Sequence, residues 1–232
     1  MALEILEVCS CNFADYTTRL PELVIDWQQQ TGRTDINNRK DWEFITMAYY
    51  HQKYAINAKR VLDTACGRES LVNWLASRCE TVIATDYWEP NYLKAAEITL
   101  EDFLTFWRHL PNVYPMLMDT MRLQFHDNVF DATYCVSSIE HFGPEDGQHE
   151  GGLRAVREME RVTRVGGLVS FSTEVVNNEQ VTDKWFFSKG GLQRFINKLA
   201  NQVLPPFQYD MIDGAAEGLP LHPVVVIARK TA

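Results

Sequence analysis

Apolar and polar positions divide the chain near residue 59. Before that point aromatic and charged residues alternate at helix-compatible spacing, from about Asp15 to Gln30 and again from Asp41 to Tyr54, with the turn-rich Thr31-Gly32-Arg33-Thr34-Asp35 between them. From Lys59 onward short apolar runs take over. Val61 to Thr64, Thr81 to Thr85, Tyr114 to Met118, Ala132 to Val136 and Leu168 to Ser172 read as buried strands, and Pro223 to Ala228 as a further one, with Phe207 to Met211 weaker. Tyr92 to Leu110 and Leu153 to Arg164 read as helices. The second places Leu153, Val156, Met159 and Val162 on one face, and Gly166-Gly167 is the expected exit from it. Strands alternating with helices predict an α/β domain over residues 59–232, with residues 1–58 as an N-terminal helical cap. No internal repeat and no low-complexity segment interrupts this order.

Two of these strands end in an acid. Arg60-Val61-Leu62-Asp63 breaks into the turn Thr64-Ala65-Cys66-Gly67-Arg68-Glu69, and Thr81 to Thr85 ends in Asp86, 23 residues after Asp63. That spacing outlines a nucleoside-binding βαβ unit, in which turn amides approach the ligand and the second acid accepts from ribose hydroxyls. Only Gly67 of the turn is glycine, so the G-x-G-x-x-G of dinucleotide binders is absent, which argues against a nicotinamide-dependent oxidoreductase.

Composition narrows the setting. A chain of 232 residues with 46% hydrophobic content buries one substantial core, and a net charge of −9 repels a long phosphate backbone. A small-molecule substrate, no nucleic acid and no membrane are the expectation; the oligomeric state is not encoded in any motif. The five cysteines form no C-x-x-C pair and fit a reducing, cytoplasmic setting. The start MALEILEVCSCNF lacks a basic n-region, and no window holds 18 apolar residues, so neither a signal peptide nor a membrane span is expected.

Four blocks in order carry a family resemblance: VLDTACGRE, TVIATD, MDTMRLQFHDNVFDATYCVSSIEHF and LRAVREMERVTRVGGLVSFSTE. From Arg60 to Val176 the chain resembles the class I S-adenosylmethionine-dependent methyltransferases of the type 11 kind. The resemblance implies a Rossmann-like methyltransferase fold with a mostly parallel seven-stranded sheet flanked by helices. It also implies S-adenosylmethionine as cofactor and S-adenosylhomocysteine as product. Carried over residue by residue, Asp63, Ala65 and Gly67 line the cofactor turn, Asp86 takes the ribose, and Asp119 takes the adenine amino group. Thr120 and Met121 border the ring, Tyr87 or Met121 covers its faces, and Ser137 follows the fourth strand at the site. Asp63 would orient the turn or, through water, the cofactor's amino group; capping the next helix is its structural alternative. The chain departs from the family loop at Ala65 and Glu69, which stand where glycines are usual. Glu69 would repel the ligand or attract its cationic groups, and Arg68 would pair with its carboxylate, unless both face solvent. These departures also motivate an alternative, a non-catalytic member that binds cofactor weakly or only binds it.

The candidate for proton removal from an O or N acceptor is His141, at the carboxyl end of the fourth strand beside Glu140; a structural or cofactor-shaping role is the alternative. The acidic loop of Glu140, His141, Glu145, Asp146, His149 and Glu150 matches no standard metal spacing, so no metal is expected. Trp42, Tyr49, Tyr50, Tyr54, Trp88 and Trp185-Phe186-Phe187 are candidates for an aromatic lid, with plain core packing as the alternative. No N-P-P-Y or D-P-P-Y run follows the fourth strand, which disfavours a nucleobase amino group as acceptor.

Overall fold

The computed structural model describes residues 2–10, 20–34, 39–87, 99–143, 149–176, 186–207, 215–216 and 219–232. Its strands are β1 (Leu3–Ser10), β2 (Arg60–Thr64), β3 (Thr81–Asp86), β4 (Val113–Leu117), β5 (Phe130–Cys135), β6 (Thr163–Val176), β7 (Phe187–Ser188), β8 (Ala215–Ala216) and β9 (Leu219–Lys230). The helices are α1 (Pro21–Thr31), α2 (Arg39–Tyr54), α3 (Ser70–Ala76), α4 (Leu100–Phe106), α5 (Glu150–Val162) and α6 (Lys189–Ala200).

Seven strands follow the order β1-β9-β6-β5-β2-β3-β4, with β7 pairing β6 and β8 pairing β9 at the margins. Pairs from β6 through β5, β2 and β3 to β4 are parallel, while β9 runs antiparallel to both β6 and β1. The alternating sequence produces this because both faces of the central strands are covered. Val61 packs with Trp27, Trp74 and Trp107 on one face, whereas its neighbour Leu62 joins Phe130 and Val162 on the other. β9 divides in the same way, Val225 and Ile227 joining the first layer and Val224, Val226 and Ala228 packing with Phe171, Phe195 and Ile196.

Two elements differ from the sequence reading. The N-terminal 58 residues are not helical throughout, since Leu3–Ser10 forms the edge strand β1 against β9. Its pattern was masked by acids. Leu3, Ile5 and Val8 pack on one layer and Leu6 and Cys9 on the other, while a register irregularity lies between Ile5 and Glu7. Glu4 pairs with Arg229, and Glu7 accepts from Lys53 Nζ at 3.1 Å and Tyr54 Oη at 2.8 Å, so an edge strand tolerates the charges.

The second difference concerns Gly166-Gly167, which do not end α5. That helix stops at Val162, and Thr163 is already extended, its Oγ1 donating to Met159 O at 2.7 Å. The glycines instead lie within β6, where the pairing with β5 jumps from Phe130–Thr163 to Ala132–Leu168. Gly166 has φ 77°, and a Cβ on Gly167 would come 2.6 Å from Thr163 Cγ2 and 2.7 Å from Asp131 O. Of the weaker expectations, Leu100–Phe106 is the described helical part of the 92–110 segment, Phe207 is not in a strand, and residues 208–211 lie outside the described residues.

Candidate active site

The carboxyl ends of β2, β3 and β5 meet at one corner, the place where open α/β sheets bind ligands. The chain leaves β2 through Ala65 and Gly67, with φ 53° and 51°. A Cβ on Gly67 would meet nothing within 4 Å, so glycine serves its backbone conformation and leaves the space above it open. Ala65 adopts the same region at a conformational cost, the methyl that the sequence requires the turn to tolerate. The turn is tied to β3 by two bonds, Cys66 N–H to Thr85 O at 3.1 Å and Gly67 N–H to Asp86 Oδ2 at 2.8 Å. Beneath it, Thr64 Oγ1 joins the hydroxyls of Thr85 at 3.0 Å and Thr120 at 2.7 Å, which couples β2, β3 and the turn after β4 in one buried network.

Asp63 is fully buried, and neither of its carboxylate oxygens has a hydrogen-bond partner. Burial, then the neighbouring Asp86, pushes its pKa up to about 7. Glu69 lies at the start of α3 without capping it, its Oε2 buried and unpartnered, and burial holds its carboxyl well above the ordinary range despite Lys40. Arg68 turns outward, its guanidinium 5.2 Å from the Phe106 ring centroid. Asp119 caps the short 3-10 turn Thr120–Arg122, its side chain accepting from Met121 N–H at 2.8 Å. Tyr87, 65% exposed, follows Asp86 at the rim.

Ser137, at φ 44°, extends the corner to β5. Its N–H donates to Ser172 Oγ at 2.9 Å and its Oγ to Glu43 Oε2 at 2.6 Å, while Ser172 Oγ donates to the same Glu43 oxygen. Ser138 Oγ reaches Ala65 O at 3.5 Å, bringing the β5 exit against the β2 turn. The 3-10 turn Ile139–His141 follows. Its Glu140 is buried and accepts from Thr173 Oγ1 at 2.8 Å, and burial pushes its pKa up to about 8. His141 donates its backbone N–H to Ser138 O at 3.0 Å, and the residue is exposed. Desolvation, then the charges of Lys40 and His149, lowers the imidazole pKa below its ordinary value.

Asp63, Ala65, Gly67, Asp86, Thr120 and Ser137 thus come together, with Asp119, Met121, Tyr87 and His141 along the rim. The aromatic lid does not assemble from the N-terminal helices. Trp42 is buried in the core, and Tyr50 stacks on Tyr54 and meets Cys9 Sγ at 3.2 Å, facing β1. Phe187 is buried against the His149 ring, and Trp88 and Trp185 lie outside the described residues. Glu145 and Asp146 lie outside them too, and among the described residues no group of three or more His, Cys, Asp or Glu is placed to hold a metal ion.

Sequence reading missed the contribution of α2. It brings Lys40 and Glu43 to the strand ends, and anchors itself by His51 Nδ1 to Tyr134 Oη at 2.6 Å within the core. No sequence signal marked it, since the burial of the polar Asp41, Glu43, Thr46 and His51 is visible only in the fold. A hollow of about 470 Å³ between α1 and α2, lined by Leu23, Asp26, Tyr49 and Gln52 among others, shares no residue with the strand-end corner.

The donor set fits a cationic nucleoside with an amino-acid end. Unpartnered buried oxygens on Asp63 and Glu69 call for a positive group, open space lies over Gly67, and Asp86 stands at the adjacent strand end. Residues 62–171 match the type 11 family model described as a methyltransferase domain. No curated protein matches the chain. Among solved structures, the fold is similar to the YcgJ protein of Bacillus subtilis (16% identity, 81% of this chain and 98% of that one, TM-score 0.56). It is similar also to the PH0226 protein of Pyrococcus horikoshii (19%, 95% and 100%, 0.55) and to an S-adenosylmethionine-dependent methyltransferase of Clostridium acetobutylicum (10%, 91% and 99%, 0.54). Residues 62–171 thus carry a match to the methyltransferase-domain family, whose implied cofactor is S-adenosylmethionine, and the chain as a whole shares the fold of these structures.

Proposed function

We propose that the chain methylates an O or N nucleophile of a small molecule, at the corner formed by the ends of β2, β3 and β5. The observation that carries this reading is the pair of unpartnered, fully buried Asp63 oxygens beside a turn that Asp86 ties to β3. When bound, S-adenosylmethionine supplies an electrophilic methyl group on a sulfonium whose sulfur leaves as a neutral thioether. The chain's part is alignment, exclusion of water and proton removal. Asp86 fixes the Gly67 turn and accepts from the ribose hydroxyls; Asp119, Thr120 and Met121 border the adenine with Tyr87 at its outer face. Asp63, Ala65, Gly67 and Ser137 surround the other end. His141, its imidazole kept neutral by its surroundings and Lys40, takes the acceptor's proton. Within residues 1–58, α1 and α2 act as the cap of the sheet to which β1 belongs.

Calorimetry with S-adenosylhomocysteine tests the reading. Wild type should bind, and Asp86→Ala should lose at least about tenfold in affinity, or about 1.4 kcal/mol. Unchanged affinity in Asp86→Ala would remove that residue from the site.

A further inference from the structure

The residues assigned so far leave a charged corner unexplained. α2 carries Lys40 and Glu43 three residues apart, on one helix face. Glu43 Oε2 is clasped by the hydroxyls of Ser137 and Ser172, which fixes this turn of α2 at the end of β5 and beside the adjoining part of β6. Glu43 is completely buried, and its second oxygen, Oε1, has no hydrogen-bond partner. A buried carboxylate oxygen without a donor is costly, and a cation supplied by a ligand relieves that cost.

Lys40 lies one turn before Glu43 on α2 and feels the charges of Glu43, Glu69, Glu140 and Glu174. Two of these acids are engaged elsewhere. Arg39 Nη2 pairs with Glu174 Oε1 at 2.7 Å, and Glu140 binds Thr173 and the Glu174 N–H. Arg68, the basic residue of the β2 turn, is turned outward over Phe106. The corner beside Ala65 and Gly67 therefore presents an unsatisfied carboxylate and a lysine together, complementary to an amino acid's ammonium and carboxylate.

We propose that α2 grips the amino-acid end of S-adenosylmethionine, Glu43 Oε1 accepting from its ammonium and Lys40 donating to its carboxylate. The assignment rests on the methyltransferase reading and makes the N-terminal helix a part of the cofactor site. It also gives the Glu43–Ser137–Ser172 triangle a purpose, the orientation of the free oxygen.

The test compares S-adenosylhomocysteine with 5′-methylthioadenosine, which keeps the nucleoside and sulfur and lacks the amino-acid end. Glu43→Gln preserves an oxygen that accepts from both serines, and Lys40→Met preserves length. Each variant should weaken S-adenosylhomocysteine by at least about tenfold while changing methylthioadenosine by less than about twofold. A variant that binds both ligands as wild type does overturns the clamp. Equal losses for both ligands overturn it too, since α2 would then act on the fold. A wild-type chain that binds neither ligand overturns the methyltransferase reading together with it.

Discussion

At the residue scale the site is a problem of buried charge. Asp63 titrates near 7 and Glu140 near 8, both above their unfolded values, so between about pH 4 and those values the folded chain holds more protons than the unfolded one. Their contribution to stability is present at low pH and lost as pH rises through 7 to 8. His51 opposes this only below 6.5, because burial lowers its pKa to about 4 and the folded chain there binds fewer protons. The ligand-free melting temperature should therefore fall between pH 6.5 and 8.5, and Asp63→Asn should flatten the fall and stabilise the chain at pH 8 by on the order of 1–3 kcal/mol. A profile unchanged by the Asp63→Asn substitution would place the loss elsewhere. For His141, the lowered imidazole pKa predicts turnover rising through a pKa below 6.5, and His141→Ala should reduce turnover by about 10²–10³-fold with cofactor affinity nearly intact. An unchanged turnover would leave alignment alone as the means of catalysis. The strand-end and turn positions of Asp63, Gly67 and Asp86 were legible in the sequence because strand ends and turn glycines have fixed spacing. The approach of α2 was not, because no spacing rule connects a helix to a strand end some 90 residues later; the contacts of Glu43 with Ser137 and Ser172 reveal it.

At the element scale the N-terminal helices are built into the core. Trp27 of α1 stacks on Phe44 of α2 and on Trp74 of α3 with centroid distances of 5.7 and 6.4 Å, and the His51 ring meets Trp74 edge-on. Trp74→Ala should cost about 3–5 kcal/mol in denaturant unfolding, since it opens a cavity shared by three helices. A loss below about 1 kcal/mol would mean that the helices pack independently of one another. The sheet strands from Val61 to Ser172 were read from apolar runs, because parallel strands covered on both faces carry continuous hydrophobicity. β1 escaped because an edge strand keeps Glu4 and Glu7 on a partly exposed side, and the α5 boundary escaped because two glycines resemble a helix exit whether they end a helix or kink a strand.

At the scale of the whole molecule, chain order and spatial order differ in a way that serves the site. The first strand lies beside the last at one edge, whereas α2, next in sequence after α1, reaches the strand ends at the sheet centre. β1 thus completes the sheet edge while α2 reaches the candidate corner. The central claim is that S-adenosylmethionine binds there, and a crystal structure of the chain with S-adenosylhomocysteine tests it most directly. The ribose should lie on Asp86 with the homocysteine end over Ala65 and Gly67 beside Asp63. Ligand density elsewhere in the molecule, with that corner empty, would contradict it.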